Sequence, residues 1–261
     1  MDERGTSIEG QQRLDDVPRP PHRASGWQEA RVQAVVPEAP DAVTLRLRLT
    51  HAQTFLPGQY YNVRLPAVGH RRPIQRAYSV ASSPEPDSSV IDLGVREVRD
   101  GLLSPALVRL RPGDRLAVRG PYGRFTWDAK DHGQVLLVGA GSGVVPLMSM
   151  VRYAVQRRRV DPLVFVCSSS TYHQALYRSE LASLASQHSW LRVVPCITRD
   201  PTDSRAAFRQ RVDALVLLAS LDGLRPVAAY LCGPPEMVGA VRLALIDLDL
   251  DPATIKTEKY D

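Results

Sequence analysis

The pattern of hydrophobic and polar residues divides the chain into two parts. From residue 27 to about residue 130, apolar and polar residues alternate in short runs that proline, glycine, aspartate and serine separate. These strand-like runs cover residues 31–35, 43–49, 59–65, 77–81, 90–96 and 115–118. Alternation places every second side chain on one face of a strand, so closely spaced runs of this kind predict an antiparallel β-barrel or sandwich.

The pattern changes near residue 131. Residues 134–138 form an almost wholly apolar run, which is typical of a strand buried on both faces of a parallel sheet. Further strand candidates lie at residues 163–166, 191–194 and 228–231, with helical composition at 168–188 and 210–220. This alternation predicts a doubly wound α/β domain with a parallel sheet. We therefore predict a mobile polar tail over residues 1–25, a β-barrel domain over 26–130 and an α/β domain over 131–261.

Composition argues against several kinds of site. The three cysteines, at 167, 196 and 232, contain no CxxC pair, which disfavours a zinc site and a disulfide framework. An iron–sulfur cluster takes about four thiolates, and the histidines lack metal-ligand spacing, so we expect no metal. No apolar run approaches the ~18–20 residues of a membrane span, and no signal peptide opens the chain. We expect a cytoplasmic protein that does not contact a membrane.

The positive charge is carried almost entirely by arginine. The net charge is +5, and lysine occurs only at positions 130, 256 and 259. Arginine pairs well with phosphate, and a basic surface attracts acidic proteins. A coding bias towards arginine is an equally good explanation of the same composition. No helix-turn-helix, zinc finger or basic strip with interleaved aromatic residues is present in the sequence, so we expect no nucleic-acid partner.

A glycine-rich segment follows the first apolar strand of the second part. Gly139, Gly141 and Gly143 lie in the sequence GAGSGVVP, which ends at Pro146 and leads into a predicted helix. Glycines let a backbone approach a pyrophosphate closely, and a helix N-terminus offers unpaired N–H groups to it. The last position is proline, where the dinucleotide fingerprint has glycine. A tight strand–helix turn without a ligand is the alternative.

A second candidate site lies in the barrel part, in the sequence RAYS at residues 76–79. Arg76 can pair with a phosphate. Tyr78, two positions later on the same face, can stack on an aromatic ring, and Ser79 can hydrogen-bond a ring nitrogen. An ordinary barrel strand is the alternative for this segment taken alone.

Together these motifs resemble the ferredoxin–NADP reductase superfamily, and most of all its bacterial oxygenase-reductase branch, over residues 27–260. The residues that carry the resemblance are Pro57-Gly58-Gln59-Tyr60, Arg76-Ala77-Tyr78-Ser79, Gly101-Leu102-Leu103-Ser104, Gly113-Asp114, Gly120-Pro121-Tyr122-Gly123-Arg124-Phe125, the glycine-rich segment and Cys232-Gly233-Pro234-Pro235. The resemblance implies two domains: an antiparallel β-barrel that binds FAD and a doubly wound α/β domain that binds a nicotinamide nucleotide. Members of this branch often carry a [2Fe–2S] domain, for which this chain lacks the cysteines.

The resemblance also implies roles for individual residues. For FAD it implies Arg76, Ala77, Tyr78, Ser79, Val95, Gly101, Leu103, Ser104 and Tyr260. For the nicotinamide nucleotide it implies Gly139, Gly141, Ser142, Gly143, Pro146, Ser168, Ser170, Arg178, Cys232, Gly233 and Pro234. Ser79, Cys232, Glu258 and Tyr260 would surround the reacting rings, with Tyr260 covering the flavin. A plain buried cysteine and a solvated terminal carboxylate are the alternatives for Cys232 and Glu258.

The predicted donor is NADPH or NADH. No acidic residue follows the strand at 163–166 to hold a ribose 2′-hydroxyl, and hydroxyl side chains with Arg178 nearby favour a 2′-phosphate, hence NADPH. The predicted function is an NAD(P)H-dependent FAD reductase that passes electrons to an acidic carrier such as ferredoxin, or to an oxygenase component. The alternatives are a reductase of free flavins or small molecules, and a non-catalytic flavin-binding or basic nucleic-acid-binding module.

Overall fold

A computed structural model describes residues 26–65, 73–84, 86–128 and 133–260. The predicted tail over residues 1–25 and the predicted boundary between residues 130 and 131 lie outside this part of the chain. We number the strands β1 to β11 and the α-helices α1 to α5 in chain order.

The first domain is a six-stranded antiparallel sheet with the strand order β4-β3-β6-β1-β2-β5. Its strands are β1 (Gln28–Ala39), β2 (Ala42–Leu49), β3 (Tyr60–Arg64), β4 (Gln75–Ser79), β5 (Val90–Arg96) and β6 (Arg115–Tyr122), and a short helix α1 (Ser104–Leu107) follows β5. The outer strands β4 and β5 approach each other at a bridge between Val80 and Leu93, so the sheet curls on itself. This is the antiparallel β domain that the alternating pattern predicts.

The second domain is a five-stranded parallel sheet with the order β11-β10-β7-β8-β9. Its strands are β7 (Val135–Ala140), β8 (Leu163–Ser169), β9 (Leu191–Ile197), β10 (Ala228–Gly233) and β11 (Ile255–Lys259). Its helices are α2 (Val144–Gln156), α3 (Arg178–Gln187), α4 (Ala214–Leu221) and α5 (Pro235–Asp247). One apolar cluster covers each face of this sheet, which confirms the predicted α/β class.

The predicted helix over residues 168–188 is wrong in its first half. Ser168 and Ser169 continue β8, where they pair with Cys196 and Ile197 of β9. Helix α3 begins only at Arg178, after Tyr177 with φ of 54° in the left-handed region. The other predicted helix, over 210–220, begins at Ala214, because the Asp213 side chain accepts a hydrogen bond from the Val216 N–H and so caps it.

The two domains share one apolar cluster. Ala81 of the barrel and Phe125 and Trp127 of the connecting segment belong to the same buried cluster as the residues of α2. Trp127 is fully buried, and its ring centroid lies 6.3 Å from that of Tyr230 in β10. This packing places strand β4, which carries the RAYS sequence, opposite the carboxyl edge of the parallel sheet. Within the described residues, no helix is both long and apolar enough to cross a bilayer.

Candidate active site

A cavity of about 720 Å³ lies between the barrel and the carboxyl edge of the parallel sheet. Its lining comes from strands β3, β4 and β5 with the loop before α1, from the glycine-rich segment, and from the C-terminal residues 258–260. Its lining includes Tyr60, Arg76, Ala77, Tyr78, Ser79, Gly94, Arg96, Gly101, Leu102, Leu103, Ser104, Ser142, Val145, Glu258 and Tyr260. The structure thus brings together residues that are far apart in the chain; Ser79 and Tyr260, for example, are 181 positions apart.

The barrel side of the cavity has the chemistry that a flavin dinucleotide needs. Arg76 is exposed, and its guanidinium donates only to the Gln75 carbonyl (2.8 Å) among the described residues, which leaves donors for a phosphate. Tyr78 is half-buried, and burial raises the pKa of its phenol to about 12. Ser104 Oγ accepts a hydrogen bond from the Val98 N–H (3.0 Å) and so fixes the loop that borders the cavity. A cation for the pyrophosphate, an aromatic ring for the flavin and an ordered loop border the same cavity, so these residues fit FAD.

Val95 does not contribute its side chain to the cavity. It is 2% exposed and packs inside the barrel, whereas its neighbours Gly94 and Arg96 line the cavity. Side chains alternate along a strand, so only every second residue of β5 faces the site. Gly94 and Arg96 are therefore the residues of β5 that border the cavity.

The glycine-rich segment forms a tight turn between β7 and α2. Gly141 has φ of 58°, in the left-handed region that favours glycine. A Cβ on Gly143 would lie 2.2 Å from the Cys232 carbonyl oxygen, so any larger residue would push the turn away from β10. Pro146 lies in the first turn of α2, where its missing N–H removes no helical hydrogen bond. Ser142 reaches the cavity, and Gly139 lies directly before the turn.

Four polar side chains form a continuous hydrogen-bonded cluster at the junction of the domains. The hydroxyls of Ser79 and Tyr260 are 2.5 Å apart, and the Tyr260 hydroxyl donates to Glu258 Oε2 at 2.9 Å. The Cys232 thiol donates to the same Glu258 oxygen at 3.9 Å. Parallel pairing of β10 with β11 sets Cys232 beside Glu258, and the Tyr260 N–H donates to the Gly233 carbonyl. The sheet register therefore holds Cys232, Glu258 and Tyr260 against strand β4.

Burial disfavours negative charge in this cluster. It raises the pKa of Glu258, the pKa of the Cys232 thiol and the pKa of the Tyr260 phenol above their ordinary values. The Cys232 side chain is fully buried, so its thiol stays protonated and acts as a hydrogen-bond donor rather than as a nucleophile. Within the described residues, no group of three or more His, Cys, Asp and Glu side chains could hold a metal ion.

The raised pKa of Glu258 predicts a pH dependence of stability. The folded state favours the protonated carboxyl, so this contribution is complete below the unfolded-state pKa and is lost as the pH rises through the folded-state pKa. We expect Glu258→Gln, which stays neutral, to lack this decline. Urea unfolding of both proteins between pH 4 and pH 8 measures it. A constant difference in unfolding free energy across that range would contradict the assignment.

The other residues predicted to bind the nucleotide lie in different places in the structure. Ser168 is buried at the end of β8, and Ser170 follows that strand at the carboxyl edge of the sheet. Arg178 is turned towards the barrel: its Nη1 donates to the carbonyl of Glu38 in β1 at 2.9 Å and also to those of His173 and Ala175. Gly233 and Pro234 form the turn between β10 and α5.

Two arginines near the nucleotide side were missed in the sequence. Arg96 donates from Nη2 to the Gln174 carbonyl at 2.6 Å, and a Cβ on Gly141 would lie 3.6 Å from its Nη1. Arg199 follows β9, and its N–H donates to the Ser170 carbonyl at 2.8 Å. The Arg199 side chain is exposed and makes no hydrogen bond or ion pair with the part of the chain that the structure describes. The sequence signal that could have identified Arg199 is its position just after a predicted strand of the parallel sheet.

Comparison with known proteins agrees with this geometry. Residues 29–127 match the family model for an oxidoreductase FAD-binding domain, and residues 137–243 match that for an oxidoreductase NAD-binding domain. The chain is 34% identical over 240 residues to ferredoxin–NADP reductase B of Sorangium cellulosum, which covers 89% of this chain and 97% of that protein. It is 31% identical to the ferredoxin–NAD(P)+ reductase component of the naphthalene 1,2-dioxygenase system of Pseudomonas putida, over 88% of this chain and 67% of that one.

Solved structures show the same arrangement of domains. The crystal structure of an Amycolatopsis cytochrome P450 reductase matches with a TM-score of 0.80 and 28% identity, over 94% of this chain and 73% of that one. The chain spans 62% of the length of another relative, the propane 2-monooxygenase reductase component of Mycolicibacterium smegmatis. The match to the Sorangium protein runs through both domains and is above 30% identity over nearly the whole of each protein. This chain belongs to the ferredoxin–NADP reductase family and is an NAD(P)H-dependent FAD oxidoreductase.

Proposed function

We propose that this protein takes a hydride from NADPH onto bound FAD and passes the electrons to a separate protein, an acidic carrier of the ferredoxin type or an oxygenase component. FAD, when bound, accepts two electrons as hydride and can release them singly. The observation that carries the proposal is the hydrogen bond between Ser79 and Tyr260, at 2.5 Å. It joins strand β4, which we call the flavin motif strand, to the carboxyl edge of the parallel sheet, where the turn at Gly141–Gly143 also lies.

The chain's own residues would bind and orient the two cofactors. Arg76 would neutralise the FAD pyrophosphate, Tyr78 would pack on the flavin, and Ser79 would donate to its reacting edge. The turn at Gly141–Gly143 would hold the pyrophosphate of the nicotinamide nucleotide. Such placement is most of what hydride transfer requires from a protein.

The buried cluster would exclude water from the reacting rings. Tyr260 and Glu258 both line the cavity, and Cys232 lies directly behind Glu258. Burial raises the pKa of Cys232 and Glu258 and so favours their protonated forms, which would place less negative charge beside the nicotinamide. The Tyr260 hydroxyl already reaches Ser79, so Tyr260 and the nicotinamide would compete for the same space beside the flavin.

The identity of the flavin tests the assignment of the cavity. The loop at residues 101–104 and Arg76 would serve a pyrophosphate, which FMN lacks. We expect flavin released from the purified protein by denaturation to co-chromatograph with FAD at close to one equivalent per chain. Release of FMN alone would contradict the proposed use of the cavity.

NADPH is the proposed donor. No carboxylate follows β8 in the sequence CSSST at residues 167–171, and Arg199 lies beside Ser170 with its guanidinium exposed. Arg178, the arginine that the sequence analysis proposed for the 2′-phosphate, already donates to three backbone carbonyls. A 2′-phosphate would therefore meet hydroxyls and one available cation.

We expect Arg199→Ala to lower kcat/KM for NADPH by about 10-fold, the effect of losing one charge-assisted hydrogen bond of about 1.5 kcal/mol, and to change kcat/KM for NADH little. Steady-state kinetics with both donors measure this. Arg211→Ala is the control, because Arg211 is also exposed and lies before α4. Arg178→Ala is compared in the same assay. A wild-type preference for NADH, or a larger NADPH-specific loss in Arg178→Ala, would overturn the role of Arg199.

A further inference from the structure

Helix α2 joins the nucleotide turn to the barrel. It begins directly after that turn, and one of its faces points at the flavin domain. The Ser149 hydroxyl donates to the Ser82 carbonyl at 2.6 Å, and Gln156 accepts a hydrogen bond from Ser83. Near the start of the helix, Val145 lies so close to Gly94 of β5 that a Cβ there would clash with it at 2.5 Å. These contacts recur at helical spacing, so they share one face.

Arg152 is the charged centre of that face. Its Nη1 donates to the carbonyl of Ala81, two residues after the flavin motif strand, at 3.0 Å. Its Nε and Nη2 donate to both carboxylate oxygens of Glu180 in α3, at 2.8 and 2.6 Å. Its Nη1 also lies 3.6 Å from Asp92 Oδ2 of β5. One guanidinium on α2 therefore contacts the barrel at two places and also contacts α3 of the α/β domain.

The contact between Arg152 and Asp92 is largely buried, and neighbouring side chains hold both residues in place. The Arg152 side chain is 18% exposed and the Asp92 side chain 5%, so water screens their attraction weakly. Asp92 is itself held from the barrel side by two hydrogen bonds from Arg46, at 2.8 and 2.9 Å. The guanidinium of Arg152 also lies over the ring of the buried Tyr177, 5.3 Å from its centroid. The chain Arg46–Asp92–Arg152–Glu180 thus runs from one domain into the other.

We propose that Arg152 is a positioning residue for hydride transfer: it holds the nucleotide domain against the flavin domain and so sets how the nicotinamide meets the flavin. The proposal rests on the proposed function. Arg152 does not line the cavity, so it acts through α2 and the loop after Ser79. Reacting atoms must approach to about 3–3.5 Å for transfer, and a displacement of about 1 Å can cost 100-fold in rate.

The first test is the rate constant for reduction of bound flavin by saturating NADPH, measured per bound FAD under anaerobic conditions. We expect Arg152→Ala to lower it by about 10- to 100-fold, while the Kd for NADPH changes much less, because the binding turns remain. Arg152→Lys keeps one ion pair and should recover part of the rate. Arg48→Ala removes an exposed ion pair with Asp87 on the barrel and should leave the rate unchanged.

The second test does not depend on activity. Spin labels on His51→Cys in the barrel and Ser186→Cys in α3, both at exposed positions, report the distance between the domains in the FAD-free protein. The protein without these two substitutions is labelled in parallel as the control for its own cysteines. We expect one narrow distance distribution with Arg152 and a broad one in Arg152→Ala. An unchanged distribution together with an unchanged reduction rate per FAD would overturn the proposal.

The outcomes separate this inference from the proposed function. If neither NADPH nor NADH reduces the wild-type flavin, the proposed function fails, and the distance measurement still tests the docking role of Arg152. If Arg152→Ala does not fold, Arg152→Lys and Glu180→Gln take its place. Slower flavin reduction in both, with full FAD content, supports the proposal, and wild-type rates in both overturn it.

Discussion

Arg76→Ala is expected to raise the Kd for FAD by about 10- to 150-fold, which corresponds to the loss of a charge-assisted hydrogen bond of about 1.5–3 kcal/mol. Arg76 faces the cavity from the outer strand β4, and the Gln75 carbonyl is its one acceptor within the described chain. Its remaining N–H groups match the paired oxygens of a phosphate. Titration of the FAD-free protein with FAD, followed by quenching of flavin fluorescence, measures the change.

Two further variants make that result specific. Arg119→Ala removes another exposed arginine of the same sheet that does not line the cavity, and should leave the Kd unchanged. Arg76→Lys keeps the charge but loses the bidentate geometry, so its Kd should lie between those of the other two proteins. Equal FAD affinity in Arg76→Ala and the wild type would show that the pyrophosphate binds elsewhere.

Reduction of cytochrome c is expected to be slow with this protein and NADPH alone and to rise by about 10- to 100-fold when an acidic ferredoxin is added, through electrostatic steering. The chain carries a net charge of +5, and exposed arginines such as Arg76, Arg119 and Arg124 lie on the barrel. Screening shortens the Debye length to about 8–10 Å near physiological ionic strength. The enhancement should therefore fall as salt increases.

A neutral quinone is the matched control acceptor for this experiment. Its reduction depends on the same hydride transfer but on no attraction between charged surfaces, so added salt should change its rate little. Ferredoxin-dependent turnover that is equally indifferent to salt would contradict the role assigned to the positive charge. Rapid turnover with free flavins or quinones and no response to ferredoxin would favour the small-molecule reductase instead.

The sequence predicted the architecture because its signals were local. Alternation identified the strands of the barrel, and apolar runs identified the core of the parallel sheet. The start of α3 was not predictable in this way, because the serine-rich end of β8 is held in the sheet by pairing with β9, and Tyr177 adopts a left-handed conformation. Neither cause is visible in the composition of the segment.

The site was only partly predictable for the opposite reason: its contacts are long-range. Arg76, Tyr78 and Ser79 came from a short motif, but the meeting of Ser79 with Tyr260 depends on how the two domains pack. Val95 was placed in the site although strand alternation directs its side chain into the barrel core. The sequence analysis missed Arg96 and Arg199. It also could not show that the Arg178 guanidinium donates to backbone carbonyls, because these contacts depend on the tertiary structure.

Anaerobic mixing of the purified, FAD-loaded protein with NADPH in a stopped-flow instrument tests the central claim most directly. We predict that the absorbance of oxidised flavin near 450 nm is lost in a single turnover, at a rate that saturates with NADPH concentration, and that NADH achieves the same less efficiently. Flavin that stays oxidised with both nucleotides would contradict the assignment of this cavity as the place where hydride passes from nucleotide to flavin.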